Sequence, residues 1–324
     1  MSEVTKNLML FTGRSNPVLA AKIAELLKVD LGGITTKSFA NGEIYARFAL
    51  SVRNSDLFLI QSISAWSDGS VNDALMELLI MTDAAKRASA HTVTAVITHF
   101  GYSRQDKKSA AREPITAKLV ANMLTVAGVD RVITIDLHQG QIQGFFDKPV
   151  NHLTALPIFA NYFVSKGLEN LCIVSPDVGR AKAAKKLADM LDADLAVMHK
   201  SRPAHNVAEI AHVIGDVAGK TCILNDDMID TGGTIAACVT TLKKEGAADV
   251  YICATHGLFS GRAYEYLDKV DVTEIIVCDT VPIPPDLLTG KLNVVSVAPL
   301  LAQAIGNVFE GISVSELFDP DFAL

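Results

Sequence analysis

The chain has 324 residues, of which 49% are hydrophobic and 20% are charged, and its formal net charge is −7. This length and apolar content are ample for two domains of ordinary size, while the acidic balance argues against a broad nucleic-acid surface, which would be basic. We expect no membrane association, because the sequence has no apolar run of about 18 residues and opens with no secretory signal pattern.

Strand and helix candidates alternate through the first half of the chain. Apolar runs predict strands over residues 8–11, 56–61, 93–98 and 131–136. Helices are predicted to begin at Asn16-Pro17 and near Pro114, and another covers residues 72–87. The helix over residues 72–87 is so apolar that we expect it to be buried on more than one side.

The same alternation restarts near residues 151–157. Further strands are predicted over residues 171–175, 194–198, 221–224, 250–255 and 274–278, and helices over residues 157–166, 181–191 and 234–244. Strands that alternate with helices indicate an α/β fold with mostly parallel sheets and helices on both faces. About ten strand candidates suit two sheets better than one.

The five cysteines form no C-x-x-C pair, and most of them lie in apolar, strand-like runs. Disulfides are rare in reducing compartments, and buried cysteines there behave as small apolar residues. We therefore expect reduced, buried thiols in a cytoplasmic protein.

The stretch from Cys222 to Thr234 carries the strongest functional signal. A buried strand is predicted to end at Leu224, so that Asp226 and Asp227 follow at its carboxyl end, where open α/β sheets bind ligands. A Gly-Gly turn then leads into a helix, whose free N–H groups and dipole favour a phosphate. The acids could hold ribose hydroxyls or a divalent ion. The alternative is an ordinary capped turn between a strand and a helix.

A short loop over residues 102–114 concentrates four cations of this acidic protein, Arg104, Lys107, Lys108 and Arg112. One interpretation is a mobile lid that folds over a polyphosphate, since a cation–phosphate pair at ~4 Å contributes up to ~4 kcal/mol at an effective dielectric of 20. The other is a solvated surface loop. The spacing of the charges does not distinguish the two.

Three further strand ends carry polar residues. Asp136 and His138 are two residues apart, and strand alternation would place them on one side, where they suit a Mg²⁺–nucleotide site; the alternative is a histidine that is hydrogen-bonded within its loop. Asp177 either caps a helix or orients a ligand or metal. Lys200 and Arg202 alternate onto one side and either clamp a phosphoryl group or form a basic turn.

Residues 215–221 resemble a phosphate-binding P-loop only superficially. Three residues separate Gly215 from Gly219-Lys220, one fewer than that motif needs, and the segment precedes a strand instead of following one. We expect an ordinary turn there.

Four segments together resemble class I ribose-phosphate pyrophosphokinases, also called phosphoribosyl-pyrophosphate synthetases. The similarity runs from about residue 8 to residue 319, and its motifs are highly specific. They are Phe39–Glu43; Gly101–Asp106 with Arg112–Lys118; Asp136–His138 with Gln141–Asp147; and Asp226–Thr234. The Asp226–Thr234 segment is also similar to the loop of type I phosphoribosyltransferases.

The resemblance implies a fold of two tandem phosphoribosyltransferase-like (type I) domains, each a mostly parallel sheet flanked by helices. Their expected bounds are residues 1–155 and 156–302, with a tail over about 303–324 that packs back on the first domain. The second domain would carry the ribose 5-phosphate loop. The family assembles into homohexamers, which is the expected state of this chain.

The resemblance also implies a role for each matching position. ATP would be bound, across a subunit boundary, by Phe39, Asn41, Gly42, Glu43, Arg104, Gln105 and Asp106. His138 and Asp177 would belong to the Mg²⁺ sites, with Asp136 close by, and Lys200 and Arg202 would be the catalytic basic pair. Ribose 5-phosphate would be bound by Arg202, Asp226, Asp227, Asp230, Thr231, Gly232, Gly233 and Thr234. Ser51, Arg53, Ser313 and Ser315 match a regulatory phosphate/ADP site.

The implied reaction is Mg²⁺-dependent transfer of the β,γ-diphosphoryl group of ATP to the 1-hydroxyl of ribose 5-phosphate, which gives phosphoribosyl pyrophosphate and AMP. Two rivals are a phosphoribosyltransferase and a non-catalytic regulatory subunit. Four positions, Arg180, Ser201, Asn151 and Gly257, depart from the usual family pattern. These departures bear on metal occupancy, regulation and kinetics and leave the reaction class unchanged.

Overall fold

The computed structural model describes residues 7–201, 210–284 and 290–318, and within them the chain divides into two compact units. Unit 1 contains the chain up to Thr154, together with Thr280–Pro282 and the segment that begins at Ser296. Unit 2 contains Ala155–Asp279 and Ile283–Val295. No helix in the described ranges combines the length and the apolar character needed to cross a bilayer.

Unit 1 is built on a parallel sheet. Its strands are β1 (Leu8–Thr12), β2 (Ile34–Ser38), β3 (Ile44–Phe48), β4 (Asp56–Gln61), β5 (Thr92–Ile97), β6 (Arg131–Ile135) and β7 (Val150–Leu153). In the described part of the unit, β1, β4, β5, β6 and β7 pair in the order β1-β4-β5-β6-β7, all parallel, while β2 and β3 form a separate antiparallel hairpin. Every residue of β4 is buried, as is usual where helices cover both faces of a parallel sheet.

Three helices of unit 1 follow its strands: α1 (Pro17–Leu27), α2 (Val71–Arg87) and α3 (Thr116–Ala127). One core cluster packs Leu78 and Met81 of α2 with Leu124 of α3 against the sheet. The expectation that α2 is buried on more than one side is wrong. Its buried residues occupy one face, and Met76 on the opposite face is 46% exposed.

Unit 2 is a larger sheet flanked by helices. Its strands are β8 (Leu171–Ser175), β9 (Asp194–Ser201), β10 (Ile210–Ile214), β11 (Thr221–Ile229), β12 (Asp249–Gly257), β13 (Glu274–Cys278) and β14 (Leu292–Val295). Within the described ranges they pair in the order β10-β9-β8-β11-β12-β13-β14, with only the β9–β10 pair antiparallel. The helices are α4 (Leu156–Lys166), α5 (Ala181–Met190), α6 (Gly233–Lys244) and α7 (Ala263–Asp268).

The last helix, α8 (Ala298–Glu310), belongs to unit 1 and packs against α1. Short 3₁₀ helices cover Gly140–Phe145, Val178–Arg180 and Ser315–Phe318. All five cysteines are free and buried.

Two strands of unit 2 are longer than the sequence predicted. β9 reaches Ser201, and β11 continues to Ile229 instead of ending at Leu224. Asp226 therefore lies inside β11, opposite Ala254 of β12, and does not follow the strand. Polar residues near the end of β11 hid this continuation, which the pairing with β12 stabilises.

Candidate active site

The loop between β11 and α6 has two glycines with different surroundings. Gly232 has a φ of +74°, and a Cβ there would lie 3.1 Å from the carbonyl oxygen of Ala263. A Cβ on Gly233 would meet no atom within 4 Å. The backbone conformation therefore requires glycine at 232, whereas the space beside Gly233 is open to a ligand.

The amino end of α6 has no side-chain cap. Ala236 donates its backbone N–H to the carbonyl of Gly232, which closes the first turn of the helix. The N–H groups of the three preceding residues have no partner within the helix, as at any helix start. Thr231 and Thr234 are both exposed, so the loop offers accessible hydroxyls close in sequence to the free amides, and such a set of donors suits a phosphate.

Two carboxylates lie together near the end of β11. Asp227 is buried, with a side chain 2% exposed, and the Asp226 side chain is 17% exposed. The backbone N–H of Asp227 donates to Oδ1 of Asp226 at 2.8 Å. Burial, followed by the neighbouring Asp227 carboxylate, raises the pKa of Asp226 well above its usual range, and the Arg180 guanidinium opposes this shift.

Asp177 begins the 3₁₀ helix that follows β8, and its carboxylate accepts a hydrogen bond of 3.0 Å from the backbone N–H of Arg180. The capping interpretation is therefore confirmed. Because the residue is exposed, its carboxylate also remains accessible to a ligand.

The basic pair of the sequence analysis is described only in part. Lys200 lies in β9, opposite Ala211 of β10, one residue before the strand ends at Ser201. Arg202 lies outside the described residues. The prediction that the two side chains share one side stays a prediction.

In unit 1, the turn of the β2–β3 hairpin carries Phe39, Asn41, Gly42 and Glu43. Phe39 donates its backbone N–H to the carbonyl of Glu43 at 2.7 Å, and Gly42 donates to the carbonyl of Phe39 at 2.9 Å. The side chain of Asn41 accepts the N–H of Glu43 at 3.2 Å, and Gly42 has a φ of +90°. Backbone bonds thus hold the turn in a defined shape and leave its side chains in solvent.

Aromatic residues with a cation beside them surround this turn. Phe39 is 47% exposed and meets Tyr45 edge-on with a centroid distance of 6.0 Å. The ammonium of Lys37 lies 5.4 Å from the Phe39 centroid and 5.5 Å from that of Tyr45. An exposed ring with an adjacent cation suits a nucleobase bearing phosphates. Sequence reasoning missed Lys37 and Tyr45. Recognising the turn over residues 39–43 would have placed these two residues opposite each other in the hairpin.

The cationic loop after β5 is anchored at both ends. Gln105 accepts a 2.5 Å hydrogen bond from the Thr116 hydroxyl, and Asp106 is buried. The Glu113 carboxylate accepts the backbone N–H groups of Ser109 and Ala110 at 2.7 and 2.8 Å. Arg104 and the three other cations, Lys107, Lys108 and Arg112, are exposed. The structure therefore brings the four charges into one solvent-facing loop.

Asp136 and His138 do not alternate along a strand. β6 ends at Ile135, and Asp136 has a left-handed φ of +39°. The prediction that strand alternation places the two side chains on one side is therefore wrong, because neither residue lies in a strand. The local structure is organised by His152, whose Nε2 accepts the backbone N–H of Leu137 at 2.8 Å.

The donor set can be compared with the needs of Mg²⁺. In the described part of the chain, no three His, Cys, Asp or Glu side chains converge as a metal cage. Mg²⁺ usually takes one or two carboxylates and completes its shell with water and substrate phosphates. The exposed carboxylate of Asp177 fits that mode of binding.

The predicted regulatory residues form two similar turns in unit 1. The backbone N–H of Arg53 donates to the Ser51 hydroxyl at 3.5 Å, and that of Ser315 donates to the Ser313 hydroxyl at 3.1 Å. All four residues are exposed. Each turn presents polar groups to solvent, and their joint role stays a prediction.

Two departures from the family pattern have local explanations. Asn151 accepts a 2.9 Å hydrogen bond from Arg131. A Cβ on Gly257 would lie 2.6 Å from the Phe259 ring, so a larger residue there would require this ring to move. As predicted, residues 215–220 form a turn before β11, in which Lys220 pairs with Asp194 at 2.7 Å.

The amino-acid sequence matches two family models. Residues 8–128 match the N-terminal domain of ribose phosphate pyrophosphokinase, and residues 203–319 match the phosphoribosyl synthetase-associated domain. The ribose-phosphate pyrophosphokinase of Clostridium tetani is 50% identical over 317 residues, which are 97% of this chain and 98% of the relative. That of Bacillus caldolyticus is 49% identical over 319 residues, 98% of this chain and 100% of the relative.

The chain belongs to the ribose-phosphate pyrophosphokinase family. Its fold agrees with the crystal structure of phosphoribosylpyrophosphate synthetase from Mycobacterium smegmatis, with a TM-score of 0.88, 48% identity, and coverage of 94% of this chain and 99% of that one. The resemblance seen in the sequence is therefore confirmed. So is the fold class, two phosphoribosyltransferase-like domains with mostly parallel sheets flanked by helices.

Proposed function

We propose that the chain catalyses the ribose-phosphate pyrophosphokinase reaction, in which the β,γ-diphosphoryl group of ATP is transferred to the 1-hydroxyl of ribose 5-phosphate. The observation that carries this proposal is the uncapped start of α6, with open space at Gly233, beside the carboxylates of Asp226 and Asp227. Such a site offers donors to a phosphate and acceptors to sugar hydroxyls. Membership of the ribose-phosphate pyrophosphokinase family supports the choice of ATP as the donor and of the 1-hydroxyl as the acceptor.

Ribose 5-phosphate would bind in unit 2. Its phosphate would accept hydrogen bonds from the backbone and hydroxyls of Thr231–Thr234. The carboxylates of Asp226, Asp227 and Asp230 would accept the ribose hydroxyls and so fix the direction of the 1-hydroxyl. The donors at the start of α6 and the acceptors near the end of β11 support this assignment of phosphate and ribose.

ATP would bind in unit 1. The exposed Phe39 ring, with Asn41, Gly42 and Glu43, would hold the adenine and ribose side, and Arg104, Gln105 and Asp106 would hold the remainder. The open edge of the Phe39 ring and its neighbouring Lys37 support an aromatic base at this position.

Mg²⁺ is the proposed cofactor. His138, with Asp136 nearby, would contact it in unit 1, and Asp177 would contact it in unit 2. The ion would neutralise the charge on the phosphoryl oxygens of the substrate when bound. The exposed carboxylate of Asp177 supports a metal that takes few protein ligands and keeps water and phosphate ligands.

The reaction needs in-line positioning of the attacking oxygen and cations for the spread charge, with little covalent help from the protein. The 1-hydroxyl oxygen attacks the β-phosphorus of ATP, the bond from that phosphorus to the bridging oxygen of AMP breaks, and AMP departs. Lys200 and Arg202 would stabilise the transferring group electrostatically. The loop over residues 102–114 would exclude water.

Further parts of the proposal concern organisation. The domains are proposed as residues 1–155 and 156–302, with the following tail on the first. Ser51, Arg53, Ser313 and Ser315 would form a regulatory phosphate/ADP site. A homo-oligomer, specifically a homohexamer, is proposed, and exposed Leu119 and Val126 on one face of α3 support a protein contact.

A cytoplasmic location is also proposed. The five free, buried thiols support it, because disulfides are rare in reducing compartments.

The deciding experiment mixes purified protein with ATP, Mg²⁺ and ribose 5-phosphate and follows AMP. We expect AMP and phosphoribosyl pyrophosphate in equal amounts without any added base. A phosphoribosyltransferase would give neither product under these conditions, and a non-catalytic subunit would remain silent until an active relative was added. Either of those two results would remove the proposed function.

A further inference from the structure

Arg180 is a cation that the proposed mechanism does not use. It closes the 3₁₀ helix Val178–Arg180 after β8, immediately before α5. Its side chain is only 16% exposed, although arginine is seldom buried without a partner. The low exposure of this charged side chain at the carboxyl edge of the sheet is explained by its neighbours.

The guanidinium lies against the acid pair of β11. Its Nε is 3.7 Å from Oδ1 of Asp226 and 3.8 Å from Oδ1 of Asp227. These distances are within ion-pair range but too long for hydrogen bonds. Among the described residues this buried Nε has no hydrogen-bond partner. Arg180 is thus shared almost equally between the two carboxylates and is not committed to either.

Two adjacent carboxylates in a site of low exposure repel each other and lose solvation. A single cation placed between them offsets both effects, because its field acts on each at nearly the same distance. Loss of this cation would strengthen the repulsion within the pair and favour a change in its geometry or protonation. Either change would alter the acceptors offered to a ribose.

Arg180 also binds Asp177, just after the neighbouring strand β8, through its backbone. Its N–H is the donor to the Asp177 carboxylate at 3.0 Å. β8 and β11 are adjacent parallel strands, so Asp177, which follows β8, and the acid pair, which lies in the last part of β11, belong to neighbouring strands of one sheet. Arg180 therefore holds one acid by its main chain and two by its side chain.

We propose that Arg180 is a positioning residue of the sugar-phosphate site, acting as the internal counter-ion that holds Asp226 and Asp227 side by side as acceptors for the ribose hydroxyls. This inference rests on the proposed binding of ribose 5-phosphate in unit 2. Arg180 acts through the two carboxylates and is given no contact with the reacting atoms.

The test compares Arg180→Gln with Arg180→Lys in the full-length protein. Arg180→Gln is expected to raise the KM for ribose 5-phosphate on the order of 10–100-fold, as for other residues that orient ligand-binding side chains. The KM for ATP should change little. Arg180→Lys keeps a positive charge and should recover most of the loss. Calorimetric titration of ribose 5-phosphate without ATP should show the same order of affinities.

A matched control is Lys185→Gln, which removes an exposed cation of α5 that pairs with Asp189. It should leave both KM values unchanged. If Arg180→Gln fails to fold, Arg180→Met fills a similar volume without the charge and carries the same expectation.

A lowered melting temperature with an unchanged KM for ribose 5-phosphate would show a purely structural ion pair and overturn the inference. So would failure of Arg180→Lys to improve on Arg180→Gln. Wild-type protein that makes no AMP from ATP and ribose 5-phosphate would instead remove the proposed function. The two failures are therefore distinguishable.

Discussion

At the scale of single residues, the neighbouring glycines of the α6 loop serve different purposes. Gly232 is needed by the backbone, because its φ of +74° and the nearby Ala263 carbonyl disfavour any side chain. Gly233 is the first residue of α6 and faces open space. The fold does not require its missing side chain, which is consistent with the proposed close approach of a phosphate to the amides.

This difference predicts opposite effects of two alanine substitutions. Gly233→Ala should keep or slightly raise the melting temperature, because alanine suits a helix start, while the KM for ribose 5-phosphate rises roughly 10–100-fold through displacement of the phosphate. Gly232→Ala should cost about 1 kcal/mol or more of stability. Thermal unfolding and steady-state kinetics of both variants check the prediction. A Gly233→Ala enzyme with a normal KM would contradict a phosphate at this loop.

At the scale of elements, the loop over residues 102–114 combines internal hydrogen bonds with exposed charges. The Gln105 side chain accepts a bond from the Thr116 hydroxyl, and the Glu113 carboxylate accepts the backbone N–H of Ser109. The side chains of Lys107, Lys108 and Arg112 are exposed. Within the described residues, these three cations form no ion pair. Exposed cations on this loop agree with the proposed lid over polyphosphate and with a solvated connection, so the two interpretations are distinguished by mutagenesis.

The lid interpretation predicts the outcome of replacing Lys107, Lys108 and Arg112 together by alanine. The kcat/KM for ATP should fall roughly 10- to 100-fold, since one cation–phosphate contact at ~4 Å contributes about 1–4 kcal/mol between the dielectrics of water and a protein surface. The melting temperature should hardly change, because exposed charges contribute little to stability. Steady-state kinetics and thermal unfolding measure both quantities.

A control triple variant replaces three exposed lysines elsewhere, Lys148, Lys244 and Lys269, by alanine. It changes the net charge by the same amount and should leave kcat/KM for ATP within about two-fold, since distant exposed charges are screened by salt. Equal losses in the two triple variants would show a general effect of net charge and would eliminate the lid interpretation.

At the scale of the whole molecule, each unit buries its own parallel sheet, yet one helix surface of unit 1 stays apolar. On α3, Leu119 is 55% and Val126 is 88% exposed, and they lie seven residues apart on one face. Scattered exposed apolar residues are common, but two on one helix face beside the half-exposed Ile115 form a patch suited to a second copy of the chain.

The family resemblance implies a hexamer, so we expect light scattering to give a mass about six times the 34.6 kDa of the chain. The double variant Leu119→Lys/Val126→Lys should yield smaller species, because charges in an apolar interface lose solvation. Val164→Lys is the control, since Val164 is 65% exposed on α4 of unit 2. A wild-type mass of one chain would contradict the oligomer, and an unchanged mass of the double variant would exclude this patch as its interface.

Much of the architecture could be read from local patterns. Strand and helix candidates such as β4, β8 and α6 came within a residue or so of their observed limits, because buried parallel strands are continuous apolar runs and helices show a 3.6-residue period. The hairpin β2–β3 was missed, because each of its strands has only five residues, none of them is fully buried, and β2 is mostly polar.

The sequence by itself determined the family, the alternating α/β fold and the chemical types gathered in its motifs, because glycine spacing, apolar periodicity and motif residues are local properties of the chain. Only the tertiary structure decided that Asp226 lies inside β11, that Asp136 leaves its strand with a left-handed backbone, and that Arg180 lies between two carboxylates. Those outcomes depend on pairing with β12 and on packing between elements distant in sequence. No local pattern encodes which cation reaches a buried acid pair.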